Sequence, residues 1–245
     1  MENKVAFVSG STSGIGLATA KKLLTKGFDV IFSSENDISN ENFASLSDNN
    51  PNAFYIKCDI SQKTDIVSAK DQISKKYKRL DYLVCNGGIM PRPCGIEDIT
   101  ETVIDKTINT NLKGTFWTLR ILGELVNETS NEGSIVCTTS VDGLIGEPYG
   151  IIYSATKAGI ISLTKSFARH FKEPLTRVNA VAPGLIDTPL TASTGEDPTS
   201  TTDYSVIQRM GLPKEIADSI VYLLSNEASF ITGQVLVVDG GFTLK

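Results

Sequence analysis

The sequence has few of the residues from which metal centres and histidine-dependent active sites are built. It contains one histidine, His170, and four cysteines, none of them in a C-x-x-C pair. Zinc sites are usually assembled from histidine and paired cysteine thiolates. A Ser-His-Asp triad would have to use His170, which lies in an amphipathic helical pattern, and no G-x-S-x-G motif is present. The sequence therefore predicts neither a metal site nor a serine hydrolase.

Long apolar runs and clusters of basic residues are also missing. No stretch of about 18 uninterrupted apolar residues occurs, and the N-terminal segment has no signal-peptide core. The net charge is −5 over 245 residues, whereas nucleic-acid binding needs clustered Lys and Arg. We therefore expect a cytoplasmic protein that binds neither membranes nor nucleic acids and whose cysteines stay reduced.

Short apolar runs alternate with helical patterns along the whole chain. Seven runs predict strands, at residues 5–8, 30–32, 54–56, 82–85, 134–137, 178–181 and 235–238. Runs that are apolar on both faces are typical of strands covered by helices on both sides. The alternation predicts an α/β fold with a doubly wound, seven-stranded parallel sheet, in a single domain over residues 1–245.

One segment interrupts this alternation. Residues 188–203 are rich in Thr, Ser, Gly and Pro and contain few apolar side chains. Connections this long in compact domains are usually lids or disordered segments. We therefore predict a substrate flap around residues 188–210.

A glycine-rich loop follows the first predicted strand and leads directly into a helix. Its sequence is Gly10-Ser11-Thr12-Ser13-Gly14-Ile15-Gly16. Glycines allow a tight turn and a close approach of backbone to ligand, and a helix N-terminus offers free N–H groups to a pyrophosphate. The strand before the loop and the helix after it are the context that predicts dinucleotide binding, by Gly10, Ser13, Gly14, Ile15 and Gly16.

The end of the second strand bears on the choice of dinucleotide. A carboxylate there binds the ribose 2′-OH of NAD, whereas a basic residue accepts the 2′-phosphate of NADP. The segment Ser33-Ser34-Glu35-Asn36-Asp37 has no adjacent Lys or Arg, and Glu35 would repel a phosphate. Ser34, and not an acid, stands at the position that would contact the 2′ group of the ribose. These residues favour NAD(H) and leave NADP(H) open.

Three polar side chains predict acid–base chemistry. Tyr153 and Lys157 are four residues apart in a helical pattern, so they share a helix face. A nearby ammonium should lower the pKa of the Tyr153 phenol and make it an acid–base group near neutral pH. Ser140 follows the strand at 134–137, where ligands of open α/β sheets bind, and could hydrogen-bond a substrate oxygen.

With these residues in place, the sequence resembles the classical short-chain dehydrogenase/reductase family over nearly its whole length. The T-G-x-x-x-G-x-G loop of that family appears with Ser9 in place of Thr, and the N-N-A-G motif appears as Cys85-Asn86-Gly87-Gly88. Other matches are Asp59 before Ile60, Asn111, the trio Ser140, Tyr153 and Lys157, Pro183-Gly184 with Ile186 and Thr188, and Val238-Asp239-Gly240-Gly241. The resemblance implies a Rossmann fold.

The resemblance also implies a reaction: hydride transfer between the nicotinamide of NAD(P) and a carbonyl or secondary alcohol. Ser140 and Tyr153 would polarise the carbonyl, Lys157 would hold the ribose hydroxyls, and Asn111 would hold a water of a proton relay. Asp59 and Ile60 would contact the adenine, Asn86, Gly87 and Gly88 would lie behind the cofactor, and Pro183, Gly184, Ile186 and Thr188 would line the nicotinamide. Two alternatives stay open, an NADPH-dependent 3-oxoacyl-thioester reductase and a non-catalytic dinucleotide-binding protein.

Substrate choice and assembly are less sharply indicated. Asp142 follows Ser140 closely and would favour hydroxyl-rich or cationic substrates, whereas Arg92 would favour a carboxylate or phosphate; Tyr149 is a further candidate. The predicted helices at residues 101–124 and 153–172 correspond to those through which family members pack against a second subunit. The resemblance therefore implies a homotetramer.

Overall fold

Seven parallel strands form one sheet in the computed structural model, which describes residues 3–173, 175–195, 202 and 205–244. The strands are β1 (Val5–Ser9), β2 (Asp29–Ser34), β3 (Ala53–Lys57), β4 (Tyr82–Cys85), β5 (Ser134–Thr138), β6 (Arg177–Pro183) and β7 (Val235–Val238). Their order is β3-β2-β1-β4-β5-β6-β7. The order reverses between β1 and β4, which opens a crevice at the carboxyl ends of these strands. The predicted strands and their parallel pairing are confirmed.

Helices cover both faces of the sheet, as predicted. On one face lie α1 (Gly14–Thr25), α2 (Asn40–Leu46) and α10 (Pro213–Leu224), which share an apolar core with that side of the strands. On the other face lie α3 (Lys63–Tyr77), a long helical rod and α8 (Ile151–His170). The central strands β1 and β4 are buried throughout, because helices pack on both of their faces.

The helical rod runs from residue 101 to residue 129 and is not uniform. It consists of α4 (Glu101–Thr107), α5 (Gly114–Thr118) and α6 (Glu124–Thr129), joined by two wide π-type turns, Ile108–Lys113 and Leu119–Gly123. The sequence predicts one regular helix here. Wide turns inside α-helices often occur at functional sites, and the first of these contains Asn111.

Buried charges tie the elements together at the end of the sheet away from the crevice. Asp81 accepts hydrogen bonds from the Val5 backbone N–H and the Ser130 hydroxyl, each at 2.8 Å, and pairs with Arg79. Arg177 donates to the backbone carbonyls of Leu223, Leu224 and Ser225, the last residues of α10 and its C-cap. These bonds satisfy buried polar groups that would otherwise destabilise the fold.

The structure describes only part of the predicted flap. Thr188 accepts a hydrogen bond from the Thr191 N–H at 3.2 Å and so caps the short helix α9 (Pro189–Ala192). Residues 196–201, 203 and 204 lie outside the described residues, so the flap stays a prediction. Among the residues that are described, no helix is long and apolar enough to span a membrane.

Candidate active site

A cavity of about 1230 Å³ occupies the crevice at the carboxyl ends of the strands. Most of the predicted site residues line it: Gly10, Ser13, Gly14, Ile15, Ser34, Glu35, Asp59, Ile60, Asn86, Gly87, Gly88, Ser140, Asp142, Tyr153, Lys157, Pro183, Gly184, Ile186 and Thr188. They come from the ends of β2 and β6, from α1, α8 and a short helix at residues 142–145, and from the loops that follow the first six strands. The topology therefore gathers at one place residues that are up to 178 positions apart, from Gly10 to Thr188.

The glycine-rich loop passes so close to its neighbours that side chains are excluded. A Cβ on Gly16 would lie 2.1 Å from the Gly10 carbonyl oxygen, and one on Gly10 would lie 2.8 Å from the Gly87 Cα. Gly10 and Gly14 also have positive φ, at 60° and 53°. The N-cap of α1, Ser13, makes no side-chain capping bond, and the first turn carries no acidic residue. The N-terminus of α1 thus keeps its positive end available for a phosphate. Gly16 acts through this packing and does not itself line the cavity.

Asn86 joins the glycine-rich loop to the neighbouring strand ends. Its Nδ2 donates to the carbonyls of Ser9 and Gly10 at 3.2 and 3.1 Å, and its Oδ1 accepts from the Thr138 hydroxyl at 3.3 Å. The Ser9 hydroxyl in turn accepts from the backbone N–H groups of Asn86 and Gly87, each at 3.0 Å. These bonds fix the loop against β4 and β5 although Cys85 and Gly87 depart from the family motif.

The tip of β2 is more enclosed than the sequence indicates. Ser34 is buried, and its hydroxyl is 2.8 Å from the Tyr55 hydroxyl. Glu35 is exposed and lines the cavity. The expectation that no basic residue is near needs a correction, because the pairing of β2 with β3 places Lys57 beside Ser34. Lys57 lies outside the cavity wall and is bound by Asp37 at 2.6 Å.

Asp59 and Ile60, in the loop after β3, line the cavity together with Ser34 and Glu35. The Asp59 carboxylate accepts a hydrogen bond from the Ser61 N–H at 2.9 Å, so its side chain is fixed within its own loop. Ile60 meets the rod, where a Cβ on Gly114 would lie 2.8 Å from the Ile60 carbonyl oxygen. The rod can approach the loop this closely only because residue 114 is glycine.

Tyr153 and Lys157 stand in the first two turns of α8, and both are buried. Their exposed fractions are 7% and 4%. The Lys157 Nζ donates to the Thr138 carbonyl at 3.0 Å and lies 5.4 Å from the centre of the Tyr153 ring. The Thr139 hydroxyl donates to the Lys157 carbonyl at 2.7 Å. The end of β5 therefore fixes both the ammonium group and the backbone of Lys157.

Burial dominates the pKa values of this pair. It raises the pKa of the Tyr153 phenol well above the ordinary value of 10.0; the Asp142 carboxylate raises it further, and a hydrogen bond with Ser140 opposes the change. Burial lowers the pKa of Lys157 from 10.5 to about 8, although Cys137 and Asp142 oppose this. The expectation of a lowered Tyr153 pKa is wrong in direction, because burial of the phenol disfavours its charged form.

Ser140 and Asp142 occupy the turn that leads from β5 into α7 (Asp142–Ile145). The Asp142 N–H donates to the Ser140 hydroxyl at 3.1 Å. The turn packs directly on α8, since a Cβ on Gly143 would lie 2.7 Å from the carbonyl carbon of Lys157. The main chain of α7 thereby sets the distance between Ser140 and the side chains of α8.

Asn111 is fully buried in the first wide turn of the rod. Its amide exchanges two hydrogen bonds with the Ile89 backbone, each at 2.8 Å, and its Nδ2 lies 3.3 Å from the Thr156 hydroxyl. The side chain does not line the cavity. It ties the loop after β4 to the rod and to α8.

The structure does not bring two of the candidate substrate residues into the cavity wall. The side chains of Arg92 and Tyr149 are exposed, and neither residue lines the cavity. The guanidinium of Arg92 lies near Gly195. The loops that carry both side chains border the cavity through Pro93 and Gly150, so Arg92 and Tyr149 lie at its rim.

Sequence reasoning overlooked several residues with a place in the site. Thr138 and Thr139 hold Lys157, and Glu147 lines the cavity beside Asp142. Thr138 ends β5 and Thr139 follows it directly, so their place at a strand end was a usable signal. Glu147 has no such signal, because a loop residue carries no periodic pattern.

Comparisons with known proteins agree with this geometry. A family model described as Enoyl-(Acyl carrier protein) reductase matches residues 10–243. The chain is 37% identical to 3-oxoacyl-(acyl-carrier-protein) reductase of Thermotoga maritima, covering 100% of this chain and 99% of that protein. It is 32% identical to 7alpha-hydroxysteroid dehydrogenase of Bacteroides fragilis, with 99% and 95% covered.

Solved structures are similar as well. The crystal structure of gox2181 has a TM-score of 0.94 at 29% identity, covering 100% of this chain and 97% of that one. ElxO with NADP bound has a TM-score of 0.93 at 30% identity, covering 100% of both chains.

Proposed function

The chain belongs to the short-chain dehydrogenase/reductase family, and from that premise we propose how its residues perform hydride transfer between NAD(P) and a carbonyl or secondary alcohol. The observation that carries the proposal is the meeting of Ser140, Tyr153 and Lys157 in one cavity with a glycine-rich loop. The relatives named above are reductases or dehydrogenases. They disfavour the alternative of a non-catalytic dinucleotide-binding protein.

The residues present fit a dinucleotide. The uncapped N-terminus of α1 and the side-chain-free surface of Gly10 and Gly14 suit a pyrophosphate. We propose that Glu35, Asp59 and Ile60 hold the adenosine half. Asn86, Gly87 and Gly88 would support the middle of the cofactor, and Pro183, Gly184, Ile186 and Thr188 would contact the nicotinamide. When bound, the nicotinamide supplies or accepts the hydride.

Tyr153 is the proposed acid–base residue. The phenol, whose pKa burial raises, is protonated at neutral pH and would donate its proton to a substrate carbonyl oxygen during reduction. Ser140, which lines the same cavity, would donate to the same oxygen and stabilise the negative charge that develops there. Oxidation needs the ionised form of the same group, because only the phenolate of Tyr153 can accept the proton of the alcohol.

Lys157 is the proposed cofactor-holding residue beside Tyr153. Its ammonium has two further donor hydrogens besides the one directed at Thr138 O, and these suit ribose hydroxyls. Asn111 would complete a proton relay from Lys157 to solvent through a water. Its side-chain amide is bonded to the Ile89 backbone, which supports a positioning role for that side chain.

The cofactor class can be tested by titrating NADH and NADPH separately at one salt concentration. We propose that NADH binds more tightly, because Glu35 lines the cavity and Asp37 neutralises Lys57. Tighter binding of NADPH would contradict this preference. ElxO, a structural neighbour, is described with NADP bound, so both cofactors belong in the comparison.

The experiment that tests the function itself is a steady-state assay. Purified protein is incubated with each cofactor and a panel of ketones and secondary alcohols, and the nicotinamide absorbance is followed. The panel includes a 3-oxoacyl thioester, because one relative is a 3-oxoacyl-(acyl-carrier-protein) reductase. We expect turnover of at least one carbonyl compound. Failure with every compound and both cofactors would contradict the proposal.

Assembly and location complete the proposal. We propose a homotetramer in the cytoplasm that acts on a small-molecule substrate. The helices proposed for subunit contacts, the rod and α8, both carry solvent-exposed positions, such as Phe116 and Ser162.

A further inference from the structure

Two carboxylates line the cavity without a part in the proposed mechanism. Asp142 is the first residue of α7, and Glu147 follows that helix by two residues. Both residues are half-buried, and both line the cavity together with Ser140 and Tyr153. The turn between β5 and α8 therefore contributes both residues to the cavity wall that also carries the proposed reacting hydroxyls.

Backbone hydrogen bonds fix the positions of Asp142 and Glu147 relative to Ser140 and to the start of α8. The Asp142 N–H donates to the Ser140 hydroxyl at 3.1 Å. The Glu147 N–H donates to the Ser154 hydroxyl at 3.1 Å, and Ser154 is the residue after Tyr153. The Glu147 carboxylate accepts from the Tyr149 N–H at 3.2 Å, which fixes the side chain within its own turn.

The cations of the cavity wall lie on other elements. Lys157 is directed at the Thr138 carbonyl, and Lys113 at the Asn109 side chain at 2.8 Å. Lys106 and Lys113 belong to the rod, which meets the cavity beside Ile60, at the end proposed for adenosine. Within the described part of the wall, Asp142 and Glu147 are the charged residues of the turn between β5 and α8.

We infer that the substrate is a small uncharged carbonyl compound, or its alcohol, with a hydroxyl group near the reacting carbon. Asp142 and Glu147 accept hydrogen bonds from that hydroxyl and repel a carboxylate or phosphate at the same position. This inference rests on the proposed function.

Three ketones of similar length test the inference. They are 4-hydroxybutan-2-one, which offers a hydroxyl, methyl acetoacetate, which is neutral, and acetoacetate, which is an anion. The kcat/KM of each is measured with saturating NADH and with saturating NADPH. We expect the hydroxyketone to exceed acetoacetate by about tenfold or more, with the ester between them.

Charge-neutralising variants identify the residues responsible. In the double variant Asp142→Asn, Glu147→Gln, the kcat/KM for acetoacetate should rise. The ratio of kcat/KM for the hydroxyketone to that for acetoacetate should then fall to about threefold or less. The matched control is Glu97→Gln, which makes the same chemical change at an exposed glutamate outside the cavity wall and should leave the ratio unchanged.

Each outcome bears on the inference. The inference would be overturned if the unaltered protein had a kcat/KM for acetoacetate equal to or above that for 4-hydroxybutan-2-one. It would also be overturned if the ratio of these two values were the same in the double variant. Turnover of acetoacetate alone would overturn it and leave the proposed function intact. Absence of turnover with all three ketones, with the wider panel and with both cofactors would contradict the proposed function, and the inference would fall with it.

Discussion

Desolvation governs the two reacting side chains of α8. Tyr153 and Lys157 are both almost fully buried, and in each the charged form is disfavoured. In the ligand-free protein the phenol therefore stays protonated, and the ammonium of Lys157 has a lowered pKa. The i, i+4 spacing alone predicts the opposite shift for Tyr153, because spacing reports proximity and not the loss of water.

Tyr153→Phe should abolish turnover while leaving dinucleotide binding nearly unchanged. The substitution removes one hydroxyl and keeps the buried ring, so the fold and the glycine-rich loop are preserved. Steady-state kinetics measure the first effect, and quenching of protein fluorescence by the bound dinucleotide measures the second. Tyr222→Phe on the exposed side of α10 is the matched control and should retain full activity. Activity retained by Tyr153→Phe would contradict its assignment as the acid–base residue.

Lys157→Met should change the pH dependence of stability in the ligand-free protein. The folded-state pKa of about 8 lies below the unfolded value of 10.5, so the charged lysine opposes folding. This cost is present in full below about pH 8 and disappears as the pH rises towards 10.5. Relative to the methionine variant, the unaltered protein should therefore gain as much as about 3 kcal/mol of unfolding free energy over that range.

Denaturant unfolding of both proteins at a series of pH values measures this difference. Lys165→Met is the control, because Lys165 lies on the exposed face of the same helix. Its unfolding free energy should follow that of the unaltered protein at every pH. A difference between Lys157→Met and the unaltered protein that does not vary with pH would contradict the lowered pKa.

The sequence predicted which residues would meet in one cavity, while their roles stay predictions. Ser140, Tyr153, Lys157 and the glycine-rich loop line one cavity because parallel strands all end at the same edge of the sheet. The placement of Lys57 beside Ser34 could not be predicted in this way. It depends on the register between β2 and β3, which the sequence pattern does not give.

At the scale of elements, one close packing contact sets the geometry of the site. Gly143 in α7 lies against the main chain of α8 at Lys157 and Ala158. A methyl group there would come within 2.7 Å of the Lys157 carbonyl carbon and 2.8 Å of the Ala158 nitrogen. Neither backbone atom can rotate away, so the helices would have to separate. Ser140 would then move relative to Tyr153.

Gly143→Ala should therefore lower kcat by about tenfold or more, because small displacements of reacting groups are costly. Dinucleotide affinity should change little, since the glycine-rich loop is far along the cavity. The fold should lose about 1–3 kcal/mol from overpacking. Leu144→Ala, at the exposed neighbouring position, is the control and should leave kcat nearly unchanged. Normal kcat in Gly143→Ala would show that α7 does not position Ser140.

Strands were easier to predict than the interior of the long rod. The apolar runs at residues 82–85 and 235–238 match β4 and β7 at both ends. β4 is buried, as is typical of the apolar strands of a parallel sheet, whereas the edge strand β7 is partly exposed. The wide turns at Ile108–Lys113 and Leu119–Gly123 depend on hydrogen-bond geometry. Hydrophobic spacing does not record that geometry, so one uninterrupted helix was expected.

At the scale of the whole molecule, the site depends on elements that also face outward. The rod holds Asn111 on its inner side and exposes Phe116 on its outer side, where the ring packs against Phe167 of α8. The outer face of α8 exposes small residues such as Ala158 and Ser162. In the proposed tetramer, a partner covering these faces would stabilise the helices that carry the reacting groups.

Ser162→Arg should break the proposed tetramer into smaller species. A charged side chain on the exposed face of α8 would be buried without a partner at the subunit contact, which is costly. Light scattering after size exclusion should give about 106 kDa for the unaltered protein, four times the 26.4 kDa chain, and a smaller mass for the variant. Ser68→Arg on the exposed face of α3 is the matched control and should keep the full mass. A monomeric unaltered protein would contradict the tetramer. A Ser162→Arg variant that stays tetrameric would show that the subunit contact does not involve this face of α8.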